Sequence, residues 1–114
     1  MSLADLLAEP VALGAEERVA EPGSFFTTEA HGVPLLVTRD LQGKVHVLVN
    51  LCRHRGVQLV FAERGNATGF VCVQHAWTYD LAGGFGGAPR DERALVEVPS
   101  VIEDGVIWTR RRGG

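Results

Sequence analysis

Residues 52–75 read CRHRGVQLVFAERGNATGFVCVQH and contain both cysteines of the chain and two of its four histidines. In chain order these four side chains form Cys-x-His, then seventeen other residues, then Cys-x-x-His. The four are Cys52, His54, Cys72 and His75. Thiolates and imidazoles are common ligands of zinc, copper and iron in proteins. The stretch therefore predicts a metal site built from two loops, each of which supplies one cysteine and one histidine.

Three metal groups compete for these ligands. Structural zinc sites usually keep like ligands together, with a cysteine pair on a knuckle and a histidine pair on a helix. A blue-copper site takes two histidines, one cysteine and a weak axial ligand such as methionine, but the only methionine is Met1 and one cysteine would be surplus. In a [2Fe–2S] cluster, two cysteines can hold one iron and two histidines the other. This arrangement uses all four ligands, so the mixed pairs favour the cluster.

Short strand patterns lie on both sides of the loops. Runs of β-branched and aromatic residues predict strands at 25–29, 35–39, 44–50, 67–73, 77–81, 95–98, 101–103 and 106–110. His31-Gly32 predicts a turn, and polar residues with a glycine predict another at 63–66. Asp104-Gly105 is a strong signal for a two-residue hairpin. About eight to ten short strands with little helix indicate an all-β fold, a small antiparallel barrel or sandwich.

The length of 114 residues predicts one domain. Residues 1–22 are acidic and rich in alanine, and we expect a lead-in that is either helical in part, with one turn before Pro10, or disordered. The domain itself is predicted over 23–110, and residues 111–114 are expected to be a solvated basic tail. His46 should point away from the valines of its strand, and a lone histidine there is expected to be structural or on the surface.

Composition excludes several classes of partner. The net charge of −3 does not favour nucleic acid, which would need a strongly basic face. No apolar run reaches the eighteen or so residues that cross a membrane, and the first eight residues lack the basic start of a signal peptide. A disulfide between the two cysteines would leave the paired histidines unexplained. We therefore expect a cytoplasmic protein with reduced thiols and without a membrane or nucleic-acid partner.

The two ligand motifs resemble the Rieske [2Fe–2S] domain, and most closely the N-terminal Rieske domain of the large subunits of aromatic-ring-hydroxylating oxygenases. The strings that carry the resemblance are CRHRG at 52–56 and CVQHAWTYD at 72–80, supported by PGSFFTT at 22–28, VNLC at 49–52 and GGAP at 86–89. The resemblance covers about residues 20 to 110. Two positions depart from the usual pattern: Val73 follows Cys72 where proline is common, and Ala76 follows His75 where glycine is usual.

The resemblance implies a Rieske-type fold with two cluster-binding loops and a function in one-electron transfer. The chain would be a ferredoxin-like component that serves an oxygenase or another redox enzyme, with a reductase or an oxygenase component as its partner. One alternative is the Rieske half of a ring-hydroxylating oxygenase whose mononuclear-iron domain is absent from this chain. Another is a zinc-stabilised binding module. His31 and His46 do not supply a mononuclear-iron triad, so no catalytic site for oxygenation is expected here.

The resemblance also implies a role for each ligand. Cys52 and Cys72 would hold the inner iron, and His54 and His75 the outer iron, where the partner docks. Arg53 and Arg55 would either form a positive collar that steers an acidic partner or be ordinary surface charges.

Four residues around the ligands are expected to tune the cluster: Arg55, Gly56, Trp77 and Tyr79. Backbone N–H groups, including those of Gly56 and Trp77, would point at the sulfides, and the Tyr79 hydroxyl would either donate to a cysteine sulfur or simply pack. High-potential relatives carry a serine where this chain has Trp77, and an extra cysteine pair that this chain lacks. A reduction potential of about −150 mV, in the lower part of the Rieske range, is therefore predicted.

Overall fold

The computed structural model describes residues 10–53, 56–72, 77–85 and 93–109. Within these ranges the chain forms ten short β-strands and one 3₁₀ helix, Glu16–Val19. The strands are β1 (Ala12–Ala15), β2 (Ser24–Ala30), β3 (Val33–Arg39), β4 (Val45–Val49), β5 (Arg64–Asn66), β6 (Gly69–Val71), β7 (Thr78–Asp80), β8 (Glu97–Val98), β9 (Val101–Glu103) and β10 (Val106–Trp108).

The strands form three antiparallel sheets. The central sheet has five strands in the order β5-β2-β3-β4-β8, a second has the order β1-β10-β9, and the third is the hairpin β6–β7. In the described parts of the chain these sheets pack as layers and do not close into a barrel. The prediction of an all-β antiparallel fold is confirmed, in its sandwich form. No helix in these ranges is long and apolar enough to cross a membrane.

Two tight hairpins form where the sequence predicts turns. At Asp104-Gly105 both residues have positive φ angles, 53° and 75°, and the turn joins β9 to β10. His31 and Gly32 have φ angles of 51° and 77° and join β2 to β3. Positive φ at both central residues is typical of the turn that matches the twist of antiparallel strands. Glycine at the second position adopts this conformation without steric cost.

The central sheet is buried on both faces, and its faces support two separate hydrophobic clusters. Alternate residues of β3 point to opposite sides, so Leu35 and Val37 join one cluster and Leu36 joins the other. We call the first cluster the fold-side core; it includes Val19 of the 3₁₀ helix and Ile107 of β10. The second, the site-side core, contains both cysteines. Continuous apolar runs in these strands follow from this double burial.

Part of the predicted N-terminal lead-in belongs to the folded unit. β1 pairs with β10, and Val19 is completely buried in the fold-side core. The Arg39 side chain donates hydrogen bonds to the carbonyl oxygens of Val19 and of Gly43 (2.5 Å) and to Glu16 Oε2 (3.0 Å). The acidic composition of the segment does not predict this packing, because its few apolar side chains are scattered along it. The helical turn expected before Pro10 and the basic tail lie outside the described residues.

The turn predicted at 63–66 is instead an edge strand. Residues Arg64–Asn66 form β5, whose partner is β2, with Phe26 opposite Arg64. Arg64 and Asn66 are exposed, which is usual for a short edge strand that carries charge on its open side. A short polar segment with one glycine can form either a turn or an edge strand, so its composition does not distinguish the two.

Candidate metal centre

The first loop leaves the end of β4 and is closed at its neck by backbone hydrogen bonds. Leu51 and Gln58 form an isolated bridge, and the Cys52 N–H donates to the Val57 carbonyl at 2.7 Å. The Gly56 N–H donates to the Cys52 carbonyl, also at 2.7 Å. Gly56 has a φ of 68°, in the left-handed region that glycine adopts most readily. Thus the Gly56 amide, which was expected to point at a sulfide, closes the loop within the described residues.

The second loop is the end of the β6–β7 hairpin. Phe70 lies opposite Tyr79 and Val71 opposite Thr78, and the Cys72 N–H continues the pairing by donating to the Trp77 carbonyl at 2.8 Å. Cys72 is therefore fixed at the base of a four-residue connection, 73–76, which lies outside the described residues. Both cysteines stand at the neck of a loop where the backbone is held on each side.

The two thiols are buried in the same apolar environment. Cys52 is 0% exposed and Cys72 is 1% exposed, both are members of the site-side core, and neither is in a disulfide. Reduced cysteine in an apolar core can be plain packing. Here, however, both thiols lie at loop necks beside positions that carry histidine in the sequence. This donor set fits a group that takes thiolate sulfur.

Tyr79 places a phenol hydroxyl against the first thiol. Its Oη lies 3.5 Å from Cys52 Sγ and accepts a hydrogen bond from the Arg53 N–H at 3.2 Å. A deprotonated cysteine sulfur has no proton to give, so the phenol would be the donor to a sulfur that binds metal. Burial of the phenol, followed by its hydrogen bond to Cys52, raises the pKa of Tyr79 to about 12. The hydroxyl therefore keeps its proton over the physiological range.

Asn50, which sequence reasoning did not single out, holds the approach to the first loop. Its side chain is 1% exposed and makes two hydrogen bonds with Val60: Nδ2 donates to the carbonyl at 2.8 Å, and Oδ1 accepts from the N–H at 2.9 Å. This ties the two ends of the segment that contains the loop. The available signal was an amide at the end of an apolar strand two residues before Cys52.

Asp80 has a comparable role after the second loop. Its Oδ1 accepts hydrogen bonds from the N–H groups of Ala82 (2.9 Å) and Gly84 (2.8 Å), which shapes the turn after β7. In the string Trp-Thr-Tyr-Asp, tyrosine thus contacts the thiol and aspartate orders the next turn. Trp77 itself is half-buried and packs on Phe85 with ring centroids 4.6 Å apart.

The remaining predicted site residues are only partly described. His54, His75 and Arg55 lie outside the described residues, so the structure does not test whether the histidines are ligands. The Arg53 side chain is exposed. In the described parts of the chain, no group of three or more histidine, cysteine or acidic side chains is arranged to hold a metal ion. Only two of the four predicted cluster ligands lie in those parts.

His46 is buried between two carboxylates. Its Nδ1 lies 2.8 Å from Glu97 Oε2, and its Nε2 lies 2.8 Å from Asp40 Oδ2. Both ring nitrogens are therefore engaged in hydrogen bonds that join β4, β8 and the turn after β3. The expectation that this histidine is structural agrees with its position, whereas His31 lies exposed in its hairpin turn.

Comparison with known proteins gives the family. The model of the family described as Rieske [2Fe-2S] domain matches residues 9–101. The chain is 37% identical over 83 residues to biphenyl 2,3-dioxygenase subunit alpha of Rhodococcus jostii (strain RHA1). It is 39% identical over 83 residues to benzene 1,2-dioxygenase subunit alpha of Pseudomonas putida. Each alignment covers 73% of this chain but only 18% of the relative, so the chain spans less than a fifth of these curated relatives.

Solved structures agree with this result. Naphthalene 1,2-dioxygenase from Rhodococcus sp., bound to indole, superposes with a TM-score of 0.84 at 29% identity. The superposition covers 90% of this chain and 26% of that chain. A quaternary ammonium Rieske monooxygenase has a TM-score of 0.81 at 20% identity, which shows a shared fold only. A [2Fe–2S] cluster is the cofactor that the family match implies, in preference to zinc or copper. With two loops closed at their necks, two buried reduced thiols and a family match over most of its length, this protein belongs to the Rieske [2Fe–2S] domain family.

Proposed function

We propose that this chain transfers one electron at a time through its Rieske cluster, as a ferredoxin-like component that serves an oxygenase or another redox enzyme. Cys52 and Cys72 would hold the inner iron, and His54 and His75 the outer iron. The observation that supports this assignment best is the pair of buried, reduced thiols at two loop necks, with a phenol hydroxyl 3.5 Å from one of them.

The cluster supplies a one-electron redox couple, and the residues around it supply binding, orientation and electrostatics. Burial of both thiols keeps water away from the sulfur side of the site. The backbone hydrogen bonds from Cys52 to Val57 and from Cys72 to Trp77 hold the main chain at both cysteines. Rigid surroundings suit an electron carrier, because the charge of the cluster changes while its bonds to the protein do not.

The expected potential lies in the lower part of the Rieske range, at about −150 mV. Hydrogen bonds to the cysteine sulfurs stabilise the reduced form and raise the potential. Tyr79 would supply one such donor to a deprotonated Cys52 sulfur, whereas Trp77 stands where high-potential relatives have a serine hydroxyl. The chain should therefore resemble the oxygenase branch of the family in its potential.

A second role is supported by the nature of the relatives. The biphenyl and benzene dioxygenase relatives are alpha subunits, and this chain matches only a small part of each. The chain would then be the Rieske half of a ring-hydroxylating oxygenase, with the mononuclear-iron domain outside residues 1–114. In either role, the partner is a redox protein. A cytoplasmic location remains a prediction under both.

Metal and spectroscopic analysis tests the cofactor and its ligands. The protein should contain two irons and two acid-labile sulfides per chain, as a [2Fe–2S] cluster requires. Its reduced form should give the electron paramagnetic resonance spectrum of a Rieske centre. Replacement of His54 or His75 by Cys should change or abolish that spectrum, whereas the control His31→Asn, in an exposed turn, should leave it unchanged. A colourless chain with one bound zinc would contradict the proposal.

A mixing experiment separates the two roles. The reduced protein is combined with a reductase, with a chain that contains a mononuclear-iron centre, or with both, and reoxidation is followed by stopped flow. A ferredoxin-like carrier should react in successive bimolecular encounters with rates proportional to partner concentration. An oxygenase half should form a stable complex that co-elutes with the iron-containing chain, and its reoxidation should be independent of dilution.

A further inference from the structure

Phe85 lies against both aromatic residues of the second loop neck. Its ring centroid is 4.6 Å from that of Trp77 at an interplanar angle of 72°, and 5.9 Å from that of Tyr79 at 80°. Trp77 and Tyr79 are two residues apart along an extended segment, so their side chains project to the same face of the hairpin. Phe85 therefore bridges them with two edge-to-face contacts, a geometry favoured by aromatic rings.

The backbone fixes Phe85 in this position. Phe85 forms an isolated β-bridge with Tyr79, and the Asp80 N–H donates to the Gly84 carbonyl at 2.9 Å. The Asp80 carboxylate holds the same turn through the Gly84 N–H. The Leu95 N–H donates to the Gly83 carbonyl at 2.9 Å and attaches the turn to the chain that leads into β8. A ring placed by this many backbone contacts has little freedom to move away from Tyr79.

The Phe85 ring also contacts a cation. The Arg93 guanidinium carbon lies 4.4 Å from the Phe85 ring centroid, within the range of a cation–π contact. The ring thus contacts an exposed arginine as well as the two aromatic residues of the loop neck. The position of Phe85 therefore does not depend on residues of the buried core alone.

The contact matters because the Tyr79 hydroxyl is placed with little tolerance. Its Oη is 3.5 Å from Cys52 Sγ, and a hydrogen bond to sulfur weakens quickly as the ring tilts away. The Arg53 amide fixes only the oxygen end of the phenol. The plane of the Tyr79 ring is set by what packs on its sides, and Phe85 provides one of those surfaces.

We propose that Phe85 is a positioning residue that sets the reduction potential of the cluster through Tyr79, by keeping the phenol hydroxyl directed at Cys52. This inference depends on the proposed function, because it assigns a residue to the cluster held by Cys52 and Cys72. Of the two rings that Phe85 contacts, only Tyr79 carries a hydroxyl directed at Cys52. We therefore expect its effect on the cluster to be transmitted by the tyrosine.

A double-mutant cycle tests the proposal in the cluster-loaded protein. Phe85→Leu, Tyr79→Phe and the double variant are compared with the wild type by redox titration, followed by electron paramagnetic resonance. Tyr79→Phe should lower the potential by removing the donor, and Phe85→Leu should lower it by a smaller amount. The double variant should have the same potential as Tyr79→Phe alone. Without the tyrosine hydroxyl, Phe85→Leu has no hydrogen bond to weaken. Equal shifts for Phe85→Leu with and without the tyrosine hydroxyl would overturn the proposal, as would no shift at all.

Controls separate positioning from general loss of packing. Phe25→Leu makes the same chemical change in the site-side core, where Phe25 packs on Phe70 at 5.3 Å, and should leave the potential unchanged. Phe85→Met replaces the ring with an unbranched, flexible apolar side chain about the size of leucine and should reproduce the shift of Phe85→Leu. If both Phe85 variants lose the cluster while Phe25→Leu keeps it, Phe85 is a structural requirement and the positioning role is wrong. A wild-type protein without iron and sulfide would contradict the proposed function itself, which is a different result.

Discussion

At the scale of single residues, the sequence motif predicts which side chains share a site, and the structure shows how they are buried and held. The spacing of Cys52 and Cys72 predicted a shared site, and the structure buries both thiols in one core. Tyr79 was equally compatible with a hydrogen bond and with packing, and its position provides both. Asn50 could not be recognised, because its role depends on Val60, ten residues later, which only the closed loop brings within hydrogen-bond distance.

Gly56 gives a prediction at this scale. Its φ of 68° lies in the left-handed region, and an added Cβ would meet no atom within 4 Å. Gly56→Ala should therefore cost about 1 kcal/mol through backbone conformation alone. Gly56→Asn should cost less, since asparagine tolerates this conformation. Chemical denaturation of the two variants and the wild type measures the difference, and equal stabilities for alanine and asparagine would contradict a backbone origin.

At the scale of elements, the strands with strong alternation and the glycine-containing hairpin turns were the predictable part of the fold. Asp104-Gly105 forms its hairpin because both residues accept positive φ. β1 and β5 were missed for physical reasons that apply to both. Each has few large apolar side chains, and each is stabilised by pairing with a strand distant in sequence, β10 or β2. The composition of a segment does not indicate that a strand distant in sequence will pair with it.

Arg39 is predicted to attach the 3₁₀ helix to the central sheet. Its side chain bonds to Val19, Gly43 and Glu16 and is only 14% exposed. Arg39→Ala should lower the free energy of unfolding by about 2 kcal/mol, because it removes the donor to the carbonyl of buried Val19 and to that of half-buried Gly43. The control Arg64→Ala, on the exposed edge strand, should change stability by less than about 0.5 kcal/mol. The test fails if urea denaturation gives similar losses for both.

Asp40 gives a prediction about pH. Burial alone would raise its pKa, but hydrogen bonds from His46 and from the backbone N–H groups of Lys44 and Gln42 outweigh burial and hold the pKa below its usual 3.8. The unfolded chain therefore binds this proton more readily than the folded chain, and stability rises with pH in this window. The contribution of Asp40 should be complete above pH 3.8 and should be lost as the pH falls through the lowered value.

Two variants measure that contribution. Thermal denaturation across the acid range should show a smaller pH dependence for Asp40→Asn than for the wild type, together with lower stability near neutrality. Asp104→Asn is the matched control, since it makes the same change at an exposed turn residue whose φ of 53° suits asparagine. An Asp40→Asn curve parallel to that of the wild type would show that the carboxylate does not contribute in this way.

At the scale of the whole molecule, the central sheet separates two cores that have different tasks. The fold-side core joins β1, β10 and the 3₁₀ helix to the sheet, while the site-side core surrounds the two cysteines. From the sequence, the ligand spacing and the all-β class were predictable. The division into two cores was not predictable, because Leu35, Leu36 and Val37 belong to one continuous apolar run. The run does not show which face of the sheet each side chain occupies.

This division predicts a local response to metal removal. When iron is stripped with acid and a chelator under reducing conditions, the site-side core should loosen and the fold-side core should persist. Hydrogen exchange should accelerate at the amides of Cys52 and Cys72, which close the loop necks. The amides of Val37 and Val47, paired within the central sheet, should stay protected. Simultaneous loss of protection at all four amides would show instead that the two cores unfold as one.

The closed necks of the two loops also bear on how the cofactor is installed. Cys52 and Cys72 are buried, and backbone bonds at each neck seal the approach from the strands. A preassembled cluster would therefore be handed over from the side of the loops that faces away from the strands. In the proposed ligand arrangement, a redox partner would dock on that same side. Maturation and turnover would then compete for one surface, so a delivery protein bound to the apo chain would exclude the partner until the cluster is in place.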